Sequence, residues 1–308
     1  MAADHQARAA GNRHGGQRRR TGGSVNEAAL ALTASVVMHV AWNLLARHQP
    51  ANTFALWWAL GAHLLILGLW GLPTLIADTR WTAEFAALLA LSAAANGVYF
   101  VALRRAYSHA PVALVYPVVR SSPLLIALWG MLLFGDSLSA MVWAGIVVSV
   151  AGLLLMASGD HRGGEGKAVP WALLAMLATS AYSVSDKAAT VSVDSFRGLV
   201  GFVSVGYLVA WLALGIEHRR TQGRWLPAAR PAWYVILAGG LCVGLAYALV
   251  IHAMRFMPAA EAVAYTNAGI VLACLASIVV FRERQFWQRR LTGAGIILSG
   301  LMLMRFAS

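Results

Sequence analysis

ALRRAYSHAPVALVY, residues 102–116, has a counterpart in VIHAMRFMPAAEAVAY, residues 250–265. Sliding one onto the other by 147 positions, from Pro111 to Pro258, also pairs Gly97 with Gly244, Ala106 with Ala253, Phe134 with Phe281 and Asp136 with Glu283. After one inserted residue, Gly145 meets Gly293 and Gly152 meets Gly300. Nearer the start of each copy, AWNLLAR (41–47) aligns with AYSVSDK (181–187), bringing together Ala41 and Ala181, Trp42 and Tyr182, and Arg47 and Lys187. A chain with internal self-similarity on this scale is built from two copies of one unit.

Composition places both copies in a membrane. Hydrophobic residues make up 59% of the 308 positions and charged ones 12%, too little polar surface to cover a soluble core of this size. Apolar stretches near the 20 or so residues that a bilayer crossing needs recur at about 28–46, 54–76, 85–103, 111–134, 138–158, 169–190, 197–216, 231–253, 257–281 and 291–306. The expectation is an all-α integral membrane protein with ten transmembrane helices in two five-helix repeats, 27–158 and 169–306, after a disordered basic tail, 1–26. Five is odd, so the second repeat starts on the opposite side of the bilayer and the two run inverted. Inverted repeats are a common plan for secondary transporters, whose substrate site lies near the midplane where the repeats meet.

The formal charge of +12 sits mostly in loops and in the tail ARAAGNRHGGQRRRTGG, scattered among Gly and Ala. That pattern suits snorkelling side chains and anionic lipid better than nucleic acid. The first apolar segment outruns a signal-peptide h-region and lacks a small-residue cleavage site after it, so it is expected to stay as the first span. Cys242 and Cys274 are isolated, with no CxxC or CxxH partner, and read as small packing residues. For catalysis the chain offers no HExxH, no GxSxG and no paired intramembrane aspartates; GFVSVG (201–206) has the wrong spacing, and no Gly-rich phosphate loop is present. An enzyme is not expected, and no cofactor or metal is implied.

The halves resemble two copies of the EamA-type unit of the drug/metabolite transporter superfamily. The resemblance rests on Phe134-Gly135-Asp136 and Phe281-Arg282-Glu283 at the ends of the fourth and ninth spans, followed by the glycine pairs of the fifth and tenth. It covers about residues 28–306. MHVAWNLLAR in the first span and VYPVVRSSP in the fourth further resemble a subset associated with phosphonate-utilisation genes, although YTNAGIV in span nine departs from that pattern. The resemblance implies a metabolite exporter in the plasma (inner) membrane with cytoplasmic termini, spans five and ten packing outside a midplane cavity. RRR at 18–20, just before the first span, agrees with cytoplasmic termini, whereas the loop arginines of the other side lean the opposite way.

Arg120 is the residue that asks for an explanation. It stands nine positions past Pro111, about 14 Å into a hydrocarbon core about 30 Å thick. A central arginine costs at least about 2.5 kcal/mol to insert, so it is expected to face a wet cavity or a partner. The offset carries it onto Asn267, and the two are expected to face each other across the repeat axis. Pro117 and Pro123 free backbone carbonyls beside it, and Tyr116, Ser121 and Ser122 add hydroxyls. The other reading is a fixed ion pair with Glu261 or Asp186, both nearer the opposite membrane face. His39, Trp42 and Asn43 share one face of span one, and Asn96 and Tyr99 one face of span three; each set is either a site wall or interhelical hydrogen bonding. Tyr182, Tyr247 and Tyr265 are candidate aromatic walls. Glu261 is the first candidate for proton coupling, while His63 and His252 read as hydrogen-bonded structural histidines. The function expected is a secondary transporter moving a small polar or amphiphilic metabolite, an anionic one favoured by Arg120, by alternating access. The alternative is a lipid-phosphate carrier or a non-transporting assembly partner in the bilayer. Expected partners are a small-molecule substrate and membrane lipids, with no nucleic acid; pairing into a homodimer stays open.

Overall fold

The structure is a computed structural model that describes residues 26–46, 49–158, 165–280, 282 and 286–307. Residues 1–25 of the basic tail, Arg47, Phe281 and Glu283 lie outside the described residues, and Asn26 opens the first helix. Among the described residues, ten helices are long and apolar enough to cross a membrane: α1 (Asn26–Ala46), α2 (Ala55–Asp78), α3 (Ala83–His109), α4 (Val112–Phe134), α5 (Ala140–Ala157), α6 (Ala168–Ala189), α7 (Phe196–Gln222), α8 (Trp233–Ala253), α9 (Ala259–Val279) and α10 (Trp287–Ala307). Large apolar side chains such as Leu30, Ile76, Leu133 and Phe306 stand more than half exposed on the outside of the bundle, a surface suited to acyl chains.

Local chemistry sets the boundaries. Thr82, Ser139 and Ser195 cap α3, α5 and α7, each side-chain oxygen accepting from the amide three residues on. Pro111 and Pro258 both sit one residue ahead of their helices with nearly the same backbone angles, φ −58° and ψ 150° against φ −56° and ψ 143°, so the repeat's proline landmark has one geometric meaning in both copies. Helices α3 and α7 run 27 residues, about 40 Å, past the ends the sequence suggests. Their extensions carry Arg104, Arg105 and Glu217, which pair by charge: Arg105 Nε donates to Glu217 Oε1 at 2.7 Å, and Arg104 Nη1 lies 3.7 Å from Oε2.

Both α4 and α9 are broken at equivalent places. Helix α4 gives way after Val119 and resumes at Pro123, because Pro123 has no N–H to offer Val119 and the Ser122 amide takes that carbonyl at 3.2 Å instead. Helix α9 tightens at Thr266–Asn267 without any proline. There the amides of Thr266, Asn267, Gly269 and Ile270 all donate three residues back, and the Thr266 hydroxyl donates to the Val263 carbonyl at 2.6 Å, a local alternative to regular helix.

The close contacts run antiparallel between the repeats. A Cβ on Gly145 would lie 2.6 Å from the Gly300 carbonyl, and one on Gly152 would lie 2.7 Å from that of Gly293. Moving up α5 therefore means moving down α10. The sequence repeat equates Gly145 with Gly293 and Gly152 with Gly300, so each contact is the image of the other under a two-fold axis in the membrane plane. Helices α2 and α7 cross on the same principle at Gly71 and Gly201, where a Cβ on Gly71 would stand 2.5 Å from the Gly201 nitrogen. The pairing of α3 with α7 is mirrored by that of α8 with α2. The repeats are inverted, as five spans per unit require.

Candidate functional site

Between the halves lies a cavity of about 270 Å³, lined by residues of α1, α3, α4, α6, α8 and α9 with single contributions from α2 and α7. Each wall is a helical stripe: His39, Trp42, Asn43 and Ala46 on α1; Asn96, Tyr99, Phe100, Leu103 and Tyr107 on α3; Thr179, Tyr182 and Ser183 on α6; Val243, Tyr247 and Val250 on α8. Spacings of three and four put these side chains on one face. The aromatic rings pack edge to face in a chain: Tyr99 with Tyr182 at 5.7 Å, Tyr182 with Tyr247 at 5.4 Å, Phe100 with Tyr207 at 5.8 Å. Helices α5 and α10 contribute nothing to this wall.

Arg120 enters the cavity at the break in α4. Its Nε and Nη2 both donate to the Tyr116 hydroxyl, at 2.8 and 2.5 Å, and Nη1 donates to Thr266 Oγ1 at 2.9 Å. Among the described residues no carboxylate forms an ion pair with it. The guanidinium is thus positioned by neutral hydroxyls, and its charge remains available to whatever occupies the cavity.

The cavity leans towards the side opposite the termini, where Ala46, Leu56, Tyr107 and Tyr116 reach its rim. On the side of the termini the loops and helix ends are tied together. Arg80 Nη2 donates to the Val191 carbonyl at 2.6 Å, and Arg197 Nε to that of Trp70 at 2.7 Å. Lys187 Nζ donates to the carbonyls of Met254 and Met257, and Arg255 to those of Val193 and Asp194. His252 Nε2 and Glu27 Oε1 stand 2.8 Å apart.

Of the residues singled out from sequence, His39, Trp42, Asn43, Asn96, Tyr99, Tyr116, Arg120, Ser122, Tyr182 and Tyr247 line this cavity. Asn267 does not. It is buried, and its amide reaches the Arg120 carbonyl at 3.5 Å while the guanidinium goes to its neighbour Thr266. The break in α9 turns residue 267 towards backbone and presents residue 266. Ser121 is also turned away, its hydroxyl donating to the Pro117 carbonyl at 2.8 Å. Tyr265 and Glu261 line a separate, mostly apolar groove of about 740 Å³, bounded chiefly by α1, α9 and α10 and including Leu32, Val36 and Arg305. Asp186 does not reach Arg120 either; it accepts from the Tyr247 hydroxyl. His63 lies fully buried with Nε2 3.0 Å from Ser204 Oγ, and Cys242 and Cys274 are free thiols.

Tyr107, Thr179, Ser183, Tyr207 and Thr266 also line the cavity, beyond the residues that stand out in the sequence. Continuing the Asn96–Tyr99 stripe by helical spacing reaches Leu103 and Tyr107, and stepping back from Tyr182 reaches Thr179. No comparable signal marks Tyr207, which enters from α7.

The model of the EamA-like transporter family matches residues 26–158 and again 166–306, one match for each five-helix unit. The chain belongs to the EamA-like transporter family. Over 90 residues it is 34% identical to an uncharacterized transporter in the cobO 3' region of Sinorhizobium sp., a stretch that takes in 29% of this chain and 60% of that protein. A solved structure described only as "Crystal structure of protein" superposes with a TM-score of 0.70 at 19% identity, covering 92% of this chain and 98% of its own; it shares the fold. This EamA-like chain is a multi-pass membrane protein of a transporter family.

Proposed function

We propose that this EamA-like protein is a secondary transporter that moves a small polar or amphiphilic metabolite bearing an anionic group, a carboxylate or phosphonate, across the plasma membrane by alternating access. The observation that carries the reading is Arg120: a permanent cation inside a cavity, aimed by Tyr116 and Thr266, with no carboxylate paired to it among the described residues. A guanidinium presents a planar fork that fits two oxygens of a carboxylate or phosphonate. The stacked tyrosines supply an amphiphilic wall for the remainder of the solute, and a volume of about 270 Å³ restricts it to a small molecule.

Alternating access is supported by the inverted repeats and by a cavity that leans towards one end. Both ends are tied in this conformation, the side with the termini by backbone-directed arginines and lysine and the other by the Arg104 and Arg105 pairs with Glu217 and the Ala232 amide donating to Gln49 Oε1. With cytoplasmic termini, the reading we adopt, that other side is external. Rocking the halves about the α5–α10 and α2–α7 crossings would shift access to the cavity from one end to the other.

The experiment is counterflow in liposomes containing the purified protein, preloaded in turn with members of a panel of small carboxylates and phosphonates. At least one is expected to exchange with its labelled form in the wild type and not in Arg120→Ala. A folded wild type that exchanges none of them would turn the reading towards a non-transporting partner in the bilayer.

A further inference from the structure

Asp186 lies one helical turn beyond the cavity liners Tyr182 and Ser183, and no part of it is exposed. Anion binding at Arg120 makes no use of it. The Tyr247 hydroxyl donates to Asp186 Oδ2, and Tyr247 itself lines the cavity, so a phenol stands between the carboxyl group and the solute space. On the far side, towards the termini, the next residue, Lys187, is tied to the carbonyls of Met254 and Met257. Asp186 therefore sits between the floor of the cavity and the seal.

The groups around it come from every neighbouring helix. Helix α3 brings Ser92 and Asn96, whose amide donates to the Ser92 carbonyl at 3.0 Å, and Asp186 Oδ1 has no hydrogen-bond partner among the described residues. Helix α7 brings Tyr207, whose hydroxyl donates to the Val243 carbonyl at 3.2 Å, and α8 brings Tyr247. Among the described residues no cation forms an ion pair with Asp186. An ionisable side chain in a membrane bundle that is surrounded by dipoles and lacks an ionic partner has the placement of a proton carrier.

We propose that Asp186 is a proton-binding site, separate from the anion site at Arg120 and reached from the cavity past the Tyr247 hydroxyl. A proton from cavity water forms an O–H bond on the carboxylate, and Tyr247 turns from donating to accepting. Release returns the proton to water once the halves rock and the side of the termini opens. The inference deepens the transporter reading, resting on it for the meaning of the proton, and assigns the coupling group to Asp186 in place of Glu261, which lines the outer groove.

The test uses no solute, so it can fail independently of the anion reading. Infrared difference spectra of the full chain in liposomes, stepped from alkaline to acid pH, are expected to show a solvent-shielded carboxylic C=O band that grows on acidification. The band is expected to be lost in Asp186→Asn, kept in Glu261→Gln and Arg120→Ala, and shifted in frequency or midpoint in Tyr247→Phe. A band that persists unchanged in Asp186→Asn overturns the proposal. If that variant does not insert, an unshifted band in Tyr247→Phe overturns it.

Discussion

Arg120 Nη1 donates to Thr266 Oγ1 at 2.9 Å, and this bond, with the Asn267 amide reaching the Arg120 carbonyl, joins the break in the fourth helix to the break in the ninth. Arg120 and Thr266 come from different repeats, and both helices lose their regular pattern at the position where their bond forms.

If the cavity takes an anion on this guanidinium, Arg120→Ala should weaken binding by roughly ten- to a hundredfold, the range of about 1.5–3 kcal/mol for a hydrogen bond to a charged group. The protein should still insert. Arg120→Lys should recover only part of the loss, because an ammonium has no fork. Equilibrium binding of a transported carboxylate or phosphonate to the purified variants checks both.

Thr266→Val keeps the shape of the side chain and removes the acceptor for Nη1. The expected result is a KM raised several-fold, with a smaller change in maximal rate, since the fork would be less well aimed. Ser121→Ala, which loses only a bond to the Pro117 carbonyl, should leave KM unchanged. Initial rates of counterflow separate the two outcomes.

The α5–α10 contact makes a stability prediction. Gly300→Ala would place a methyl 2.5 Å from both the Gly145 carbonyl and the Ser149 nitrogen, backbone that cannot swing aside, and should cost about 1–3 kcal/mol. Gly295→Ala, on the same helix with nothing within 4 Å, should be neutral or gain up to about 1 kcal/mol in helix propensity. Thermal unfolding in detergent should show Tm falling in the first and not in the second.

The seal on the side of the termini is open to a similar test. Arg80→Ala removes a bond from the α2–α3 loop of the first repeat to the Val191 carbonyl of the second. It should increase thiol labelling of a cysteine placed at the neighbouring buried Val193, relative to the same cysteine beside an intact Arg80. Equal labelling would mean that this bond does not hold the halves together.

Much of the fold was legible because hydropathy and repetition are long-range, redundant signals. The ten spans, the inversion and the proline landmarks follow from apolar runs and one alignment offset. What escaped was rotation about a helix axis. The offset places Asn267 opposite Arg120, but the tightened turn in α9 moves the facing position back to Thr266, and nothing as conspicuous as Pro123 announces that break. Glu261 and Tyr265 sit on a transmembrane helix at plausible depth, yet their faces of α9 look towards α1 and α10. The stripes on α1 and α3, written in one uninterrupted helical period each, line the cavity together.

The glycine clasp has a consequence for ancestry and assembly. Gly145 against Gly300 and Gly152 against Gly293 are the contacts a single five-helix unit would make with an oppositely inserted copy of itself. Each half thus carries its own adhesive. Cut between Ser158 and Glu165 and coexpressed, the fragments should find one another in the bilayer and copurify.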